Sequence, residues 1–122
     1  MKTETHDVLP LRADHFQAEV LENSRPVLID FWAPWCGPCR MLKPMLQEAA
    51  SALGDAVDVR TVNVDEEPGL AQAFHVQGIP YLVVMQGNRA LTGWSGVAPA
   101  AEIVRRVQTA LAAPENSPAP AP

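Results

Sequence analysis

Apolar positions along the chain follow two rhythms. In the first they run on without a break. Val27-Leu28-Ile29-Asp30-Phe31-Trp32-Ala33 is nearly continuous, the pattern of a central parallel strand covered on both faces. Residues 57–64 and Tyr81-Leu82-Val83-Val84-Met85 read as further strands. Gln86-Gly87-Asn88-Arg89 is a hairpin-type turn, and residues 90–95 return antiparallel until Gly96 ends them. Residues 8–11 make a short strand that Pro10 confines to an edge.

The second rhythm is helical. Cys39, Leu42, Leu46, Ala50 and Leu53 recur at the spacing of one helix face, and Gly54 stops the run. Pro44 lies inside this helix and should kink it, since it forfeits a bond to Arg40. Asp14 is the expected N-cap of an earlier helix that packs through Phe16, Val20 and Leu21. A short helix over residues 70–75 follows the acidic turn Asp65-Glu66-Glu67-Pro68-Gly69, and His75 reads as a surface residue at its end. The last helix has Pro99 near its first turn. Ile103, Val107 and Leu111 face inward, and Arg105 and Arg106 favour the C-terminal end of its dipole. Strands and helices therefore alternate. An α/β fold, a mixed sheet with helices on both faces, is the simplest way to bury them.

Composition narrows the class. An apolar share of 48% over 122 residues is enough for one globular domain, expected over 8–112. Residues 1–7 read as a flexible start and 113–122 as a disordered Pro/Ala tail. The formal net charge of −5 argues against nucleic-acid binding. No apolar run is long enough for a membrane span, and residues 1–7 lead into no signal-peptide core. A cytoplasmic location is expected. There, a pair of cysteines is more often transient and catalytic than a structural staple.

The chain has only two cysteines, Cys36 and Cys39, within Trp35-Cys36-Gly37-Pro38-Cys39. Haem attachment needs a following His, and Arg40 stands there instead. A zinc site needs four ligands, and neither the histidines nor the carboxylates lie at ligand spacing from the pair. Two buried spectator cysteines remain the bland reading. A reversible dithiol is the favoured one. Cys36 would sit at the helix N-terminus, where unpaired N–H groups and the dipole stabilise a thiolate, so it should be exposed and attack first. Cys39, one turn further in, should be buried and resolve the mixed disulfide. Trp35 would form an apolar rim, Gly37 leaves room at the entrance, and Pro38 limits backbone motion. Asp30 interrupts the central strand at a cost unless compensated, and is the candidate proton relay to Cys39, with a water as a possible bridge. Pro80, after Gly78-Ile79, is expected to follow a cis peptide that turns the loop toward the sulfurs and exposes an edge for a partner strand.

Phe31-Trp32-Ala33-Pro34-Trp35-Cys36-Gly37-Pro38-Cys39 closely resembles the active-site stretch of the thioredoxin family, and Gly78-Ile79-Pro80 resembles its cis-proline loop. Asn63-Val64-Asp65 and Gly96 also have equivalents there. The resemblance covers roughly residues 8–111. It implies a central five-stranded mixed sheet flanked by helices on both faces. It also implies general reduction of protein disulfides, with no bound cofactor or metal, and with electrons supplied from NADPH by thioredoxin reductase to a protein expected to be monomeric. By motif, Cys36 is the nucleophile, Cys39 the resolving thiol, Asp30 the buried acid, Trp32 the aromatic beneath the site and Pro44 the helix kink. Trp35, Ile79, Pro80, Tyr81, Gly96 and Val97 form the partner-binding rim. The family also includes disulfide oxidases and isomerases, more often with His in the dipeptide, and non-catalytic binding subunits, and these stay open as alternatives. Three positions depart from the pattern. Thr61 stands where many members carry a Lys near the buried acid, which should raise the pKa of Asp30 further. Arg60 cannot replace that Lys, because strand side chains alternate and Arg60 should face the other way. Tyr81 replaces a Thr and Ser95 a Val.

Overall fold

The computed structural model describes residues 7–113. The expected flexible start and tail therefore lie almost wholly outside the described residues.

Five strands form one mixed sheet in the order β1-β3-β2-β4-β5. They are β1 (Val8–Pro10), β2 (Val27–Trp32), β3 (Asp58–Asn63), β4 (Tyr81–Gln86) and β5 (Arg89–Ser95). β3 runs parallel to both β1 and β2, and β4 runs antiparallel to both β2 and β5. The class and the five-stranded mixed sheet are as expected.

β2 lies at the centre, and Val27 through Phe31 are all buried. Alternation sends its side chains into two separate cores. Leu28 packs with Leu42, Leu46, Leu82, Ile103 and Val107 on the side of the two long helices. Val27, Ile29 and Phe31 pack with Val20, Val62, Leu70 and Val83 on the opposite side. That is why the strand reads as a continuous apolar run: each face has its own helical layer. By the same alternation Asp30 shares the face of Leu28 and looks toward helix α1.

Helix α1 (Gly37–Leu53) has Cys36 as its N-cap and Pro38 in its first turn, where a missing N–H costs nothing. Its buried residues are the five expected ones plus Ala49. The helix runs on through Pro44 to Gly54, whose φ of +61° suits a residue without a Cβ. Helix α3 (Ala100–Ala112) packs on α1 through Ile103 and Val107.

Three expectations are corrected. Asp14 caps no helix. A 3₁₀ turn (Ala13–His15) runs into a π-helical turn (Gln17–Leu21), and Asp14 instead accepts from Arg12. The segment has one fully buried residue, Val20. Its wider winding, with Glu22 N–H bonded to the Gln17 carbonyl, accompanies an edge contact between Phe16 and Phe74. Second, helix α2 spans Pro68–Ala73, earlier than expected. Pro68 suits its first turn, and His75 lies beyond its end at φ +55°. Pro99 is the N-cap of α3, near its first turn as expected. Third, Arg105 and Arg106 sit at the middle of α3, short of the last turn where the dipole would favour them. They reach back one turn to bond Glu102, whose carboxyl is held well below the usual range by those hydrogen bonds.

Tyr81 sits diagonally across the β4–β5 ladder from Gly93, and a Cβ at Gly93 would collide with the Tyr81 phenol. Strand interiors disfavour glycine, but here it makes room for a ring. Gly93→Ala is expected to lower stability by about 1 kcal/mol in denaturant unfolding. In a Tyr81→Thr background the same change should cost less, and equal costs in both backgrounds would show that the ring does not need the space.

Candidate active site

β2 ends at Trp32, and a short turn through Ala33, Pro34 and Trp35 delivers Cys36 to the start of α1. Cys36 and Cys39 are joined by a disulfide. Cys36 Sγ accepts the Cys39 N–H at 3.2 Å, so the sulfur itself caps the helix. The four N-terminal N–H groups of a helix have no partner within it, and they stabilise negative charge placed there. Pro38 cannot offer one of them, so the Cys39 amide is the donor best placed to do so.

One expectation about the cysteines is corrected. Cys36 is 5% exposed, almost as covered as Cys39 at 1%. Both sulfurs lie in a small apolar cluster with Ala33, flanked by Trp32, Val64 and Ile79. The Ile79 carbonyl oxygen lies 3.7 Å from Cys36 Sγ. The two cysteines differ in position: Cys36 stands at the helix tip and Cys39 lies inside the first turn.

The Ile79–Pro80 peptide is cis. Pro80 is buried, and its carbonyl accepts the Gly96 N–H at 2.9 Å, which brings the end of β5 against the loop. Gly96 has φ +101° and open space where a side chain would be. Val97 and Trp35 are exposed, while Ile79 and Tyr81 are half-buried. The Tyr81 ring turns down onto Phe31 rather than standing free, with ring centroids 6.3 Å apart.

Trp35 is held from a direction the sequence reading did not assign. Its indole N–H donates to both carboxylate oxygens of Asp65, at 3.0 and 3.3 Å. Asp65 is set in turn by its own N–H, which bonds Asn63 Oδ1. The Arg40 guanidinium bonds the Pro34 carbonyl at 2.7 Å and closes the other side of the turn.

Asp30 is 2% exposed, and its Oδ1 has no hydrogen-bond partner. It pairs in register with Thr61 on β3 and Leu82 on β4. Burial pushes its carboxyl up to about 7, and the Lys43 ammonium acts in the opposite direction. Asp30, Trp32, Lys43, Pro44 and Thr61 line one cleft of about 520 Å³. Arg60 faces away, as expected, and bonds Glu19 at 3.1 Å. Lys43 is the residue that sequence reasoning missed. Its position four residues after Cys39 placed it one turn along the same helix, above the acid, and that spacing was the available signal. Among the described residues, no three His, Cys, Asp or Glu side chains are placed to hold a metal ion.

Sulfurs that join across one helical turn, at a tip that stabilises the thiolate, exchange readily with a second thiol pair. They place the chain in the class of thiol-disulfide oxidoreductases. The thioredoxin family model matches residues 7–109. The chain is 45% identical over 84 residues to thioredoxin 1 of Synechococcus elongatus, covering 69% of this chain and 78% of that one. It is 38% identical over 96 residues to the thioredoxin of Rhodospirillum rubrum, covering 79% and 92%. A crystal structure of a chloroplastic thioredoxin z aligns with a TM-score of 0.79 at 28% identity, over 93% of this chain and 99% of that one. The chain belongs to the thioredoxin family, and it is a general thiol-disulfide oxidoreductase that works through its Cys36–Cys39 disulfide.

The raised pKa of Asp30 has a consequence for stability. The folded state binds this proton up to about pH 7, whereas the unfolded chain releases it near 3.8. Stability from this group is therefore full below pH 4 and is lost as pH rises toward 7 and above. Asp30→Asn removes the loss. The variant is expected to be more stable than wild type at pH 8 by roughly 2–4 kcal/mol, and the gap should close toward pH 4. Urea unfolding of the oxidised proteins across that range is the measurement, and a gap independent of pH would contradict the burial argument.

Proposed function

We propose that the protein is a general protein-disulfide reductase in which Cys36 attacks and Cys39 resolves. The observation that carries this reading is the Cys39 N–H aimed at Cys36 Sγ from the first turn of α1. In the reduced protein the same amide would stabilise a Cys36 thiolate. That thiolate attacks one sulfur of a substrate disulfide, forms a Cys36–substrate disulfide and releases the other substrate sulfur as a thiolate. Cys39 then gives its proton to the Asp30 carboxylate, and its sulfur attacks Cys36 Sγ. The second substrate sulfur leaves, and the Cys36–Cys39 disulfide is formed. The substrate gains two electrons and leaves as two thiolates that take their protons from solvent. The protein loses two electrons, and the Cys39 proton passes through Asp30 to solvent.

Asp30 suits the proton step because burial holds its pKa near neutrality, where an acid can both accept and donate. Trp32 forms the floor of the site. Gly37 and Pro38 shape its entrance, and Pro44 lies in the wall of the acid's cleft. Trp35, Ile79, Pro80, Tyr81, Gly96 and Val97 form the rim against which an extended substrate segment would lie, paired by main-chain hydrogen bonds at the cis-proline loop. Recharging is assigned to thioredoxin reductase, with electrons from NADPH and no cofactor held by this chain. The support is likeness to proteins named thioredoxins. The compartment proposed is the cytoplasm, where such a dithiol is kept reduced, and the working form a monomer.

Insulin reduction with dithiothreitol tests the reading. Cys36→Ser should lose activity by at least about 100-fold, as expected when the nucleophile of a covalent mechanism is removed. Cys39→Ser should instead accumulate the Cys36–substrate mixed disulfide, visible by mass spectrometry. Full activity in Cys36→Ser would leave only a binding role. NADPH oxidation in the presence of thioredoxin reductase tests the recharging step, and a strongly oxidising potential for the pair would favour an oxidase or isomerase.

A further inference from the structure

Asp30 sits where the sheet meets α1, and the elements around it differ sharply in what they offer. β3 presents Thr61, β4 presents Leu82, and β1 presents Val8 and Pro10 to the cleft. None of these is charged. Arg60 is turned to the opposite face and committed to Glu19. α1 presents Lys43, Pro44, Leu46 and Gln47. Among the described residues, the cation that lines the cleft of Asp30 is therefore Lys43. Its ammonium lies over the ring of Trp32, 5.2 Å from the centroid. An aromatic face attracts a cation electrostatically, and this one holds the charge at the mouth of the cleft rather than letting it swing into solvent. Trp32 and Asp30 are both on β2, on the same face by alternation.

We propose that Lys43, seated on Trp32, is the positioning residue that sets the proton affinity of Asp30 from the helix side. The proposal rests on the reading above in which Asp30 exchanges a proton with Cys39. Two opposing effects act on Asp30. Burial favours the neutral acid, and the Lys43 charge favours the carboxylate. With both present, the group stays near neutrality and can take the Cys39 proton. Without the Lys43 charge a larger share of Asp30 would stay protonated at pH 7, and the resolving step would have less base. The cleft also leaves the acid a solvent path on the α1 side, away from the Ile79–Pro80 loop.

Carboxyl NMR titration of Asp30 in the reduced full-length protein tests the proposal, with wild type, Lys43→Gln, Lys43→Arg and Lys43→Gln/Thr61→Lys compared. Lys43→Gln should raise the midpoint by about one pH unit, as loss of a nearby opposite charge does. Lys43→Arg keeps the charge and should stay close to wild type. Thr61→Lys, introduced directly across the ladder from Asp30, should bring the double variant back down. The pH profile for decay of the mixed disulfide should move with the midpoint in each variant. An Asp30 midpoint unmoved in Lys43→Gln would overturn the proposal, and so would lost turnover without a moved midpoint. The titration needs no turnover. If Asp30→Asn reduces insulin at the wild-type rate, the relay role of Asp30 fails, and the midpoints still decide whether Lys43 acts on it.

Discussion

The amide of Cys39, 3.2 Å from Cys36 Sγ, ties the chemistry of this protein to its fold. A helix must satisfy its first N–H groups with something. Here the group that does so is a sulfur whose charge changes during the reaction. The cap is worth most when the sulfur is a thiolate, because hydrogen bonds to charged acceptors are the stronger ones. The local structure therefore favours the reactive state without a separate basic side chain. The rest of the fold keeps that helix tip in place. β2 delivers the turn, α1 buries six residues behind it, and Asp65 and Arg40 hold the turn from its two sides.

The second constraint is the carboxyl in the sheet. Asp30 occupies a position on the face of Leu28 where an apolar residue would pack without penalty. Its Oδ1 lacks a partner, and such a group lowers stability wherever it is charged. The same burial that destabilises it also moves its pKa into the range where it can exchange a proton. Stability and chemistry pull in opposite directions at this one residue. The compromise is local: a cleft open on one side, and a cation across it.

Much of this was legible in the sequence. The continuous run of β2 and the spacing of Leu42, Leu46, Ala50 and Leu53 specify a two-faced sheet with α1 on one side. The Cys-Gly-Pro-Cys segment names its own chemistry, and Gly78-Ile79-Pro80 names its loop. What was not legible depended on contacts between distant segments. The segment after β1 has too little to bury for its winding to be set by its own residues, and Phe74 contributes to its packing from 58 positions away. Asp65 looked like part of an acidic turn because a carboxylate that accepts from an indole leaves no local pattern. Lys43 was given no role by its neighbours in the sequence, and residue by residue it is exposed. Its effect comes from what lies beneath it.

The cover over Cys36 bears on selectivity. A sulfur that is 5% exposed is covered against most disulfides that diffuse past. The Ile79 carbonyl lies against Cys36 Sγ, and the end of β5 at Gly96 lies against the Ile79–Pro80 loop. The open space at Gly96 allows close backbone approach there. Main-chain pairing of this kind asks for an extended segment rather than a particular sequence. On the proposed reading, breadth of substrate and protection of the sulfur have the same origin: an extended backbone is admitted and most else excluded. Tyr81 is consistent with this, because its ring is folded down over Gly93 and onto Phe31. Glycine at position 93 gives that ring its room from the neighbouring strand.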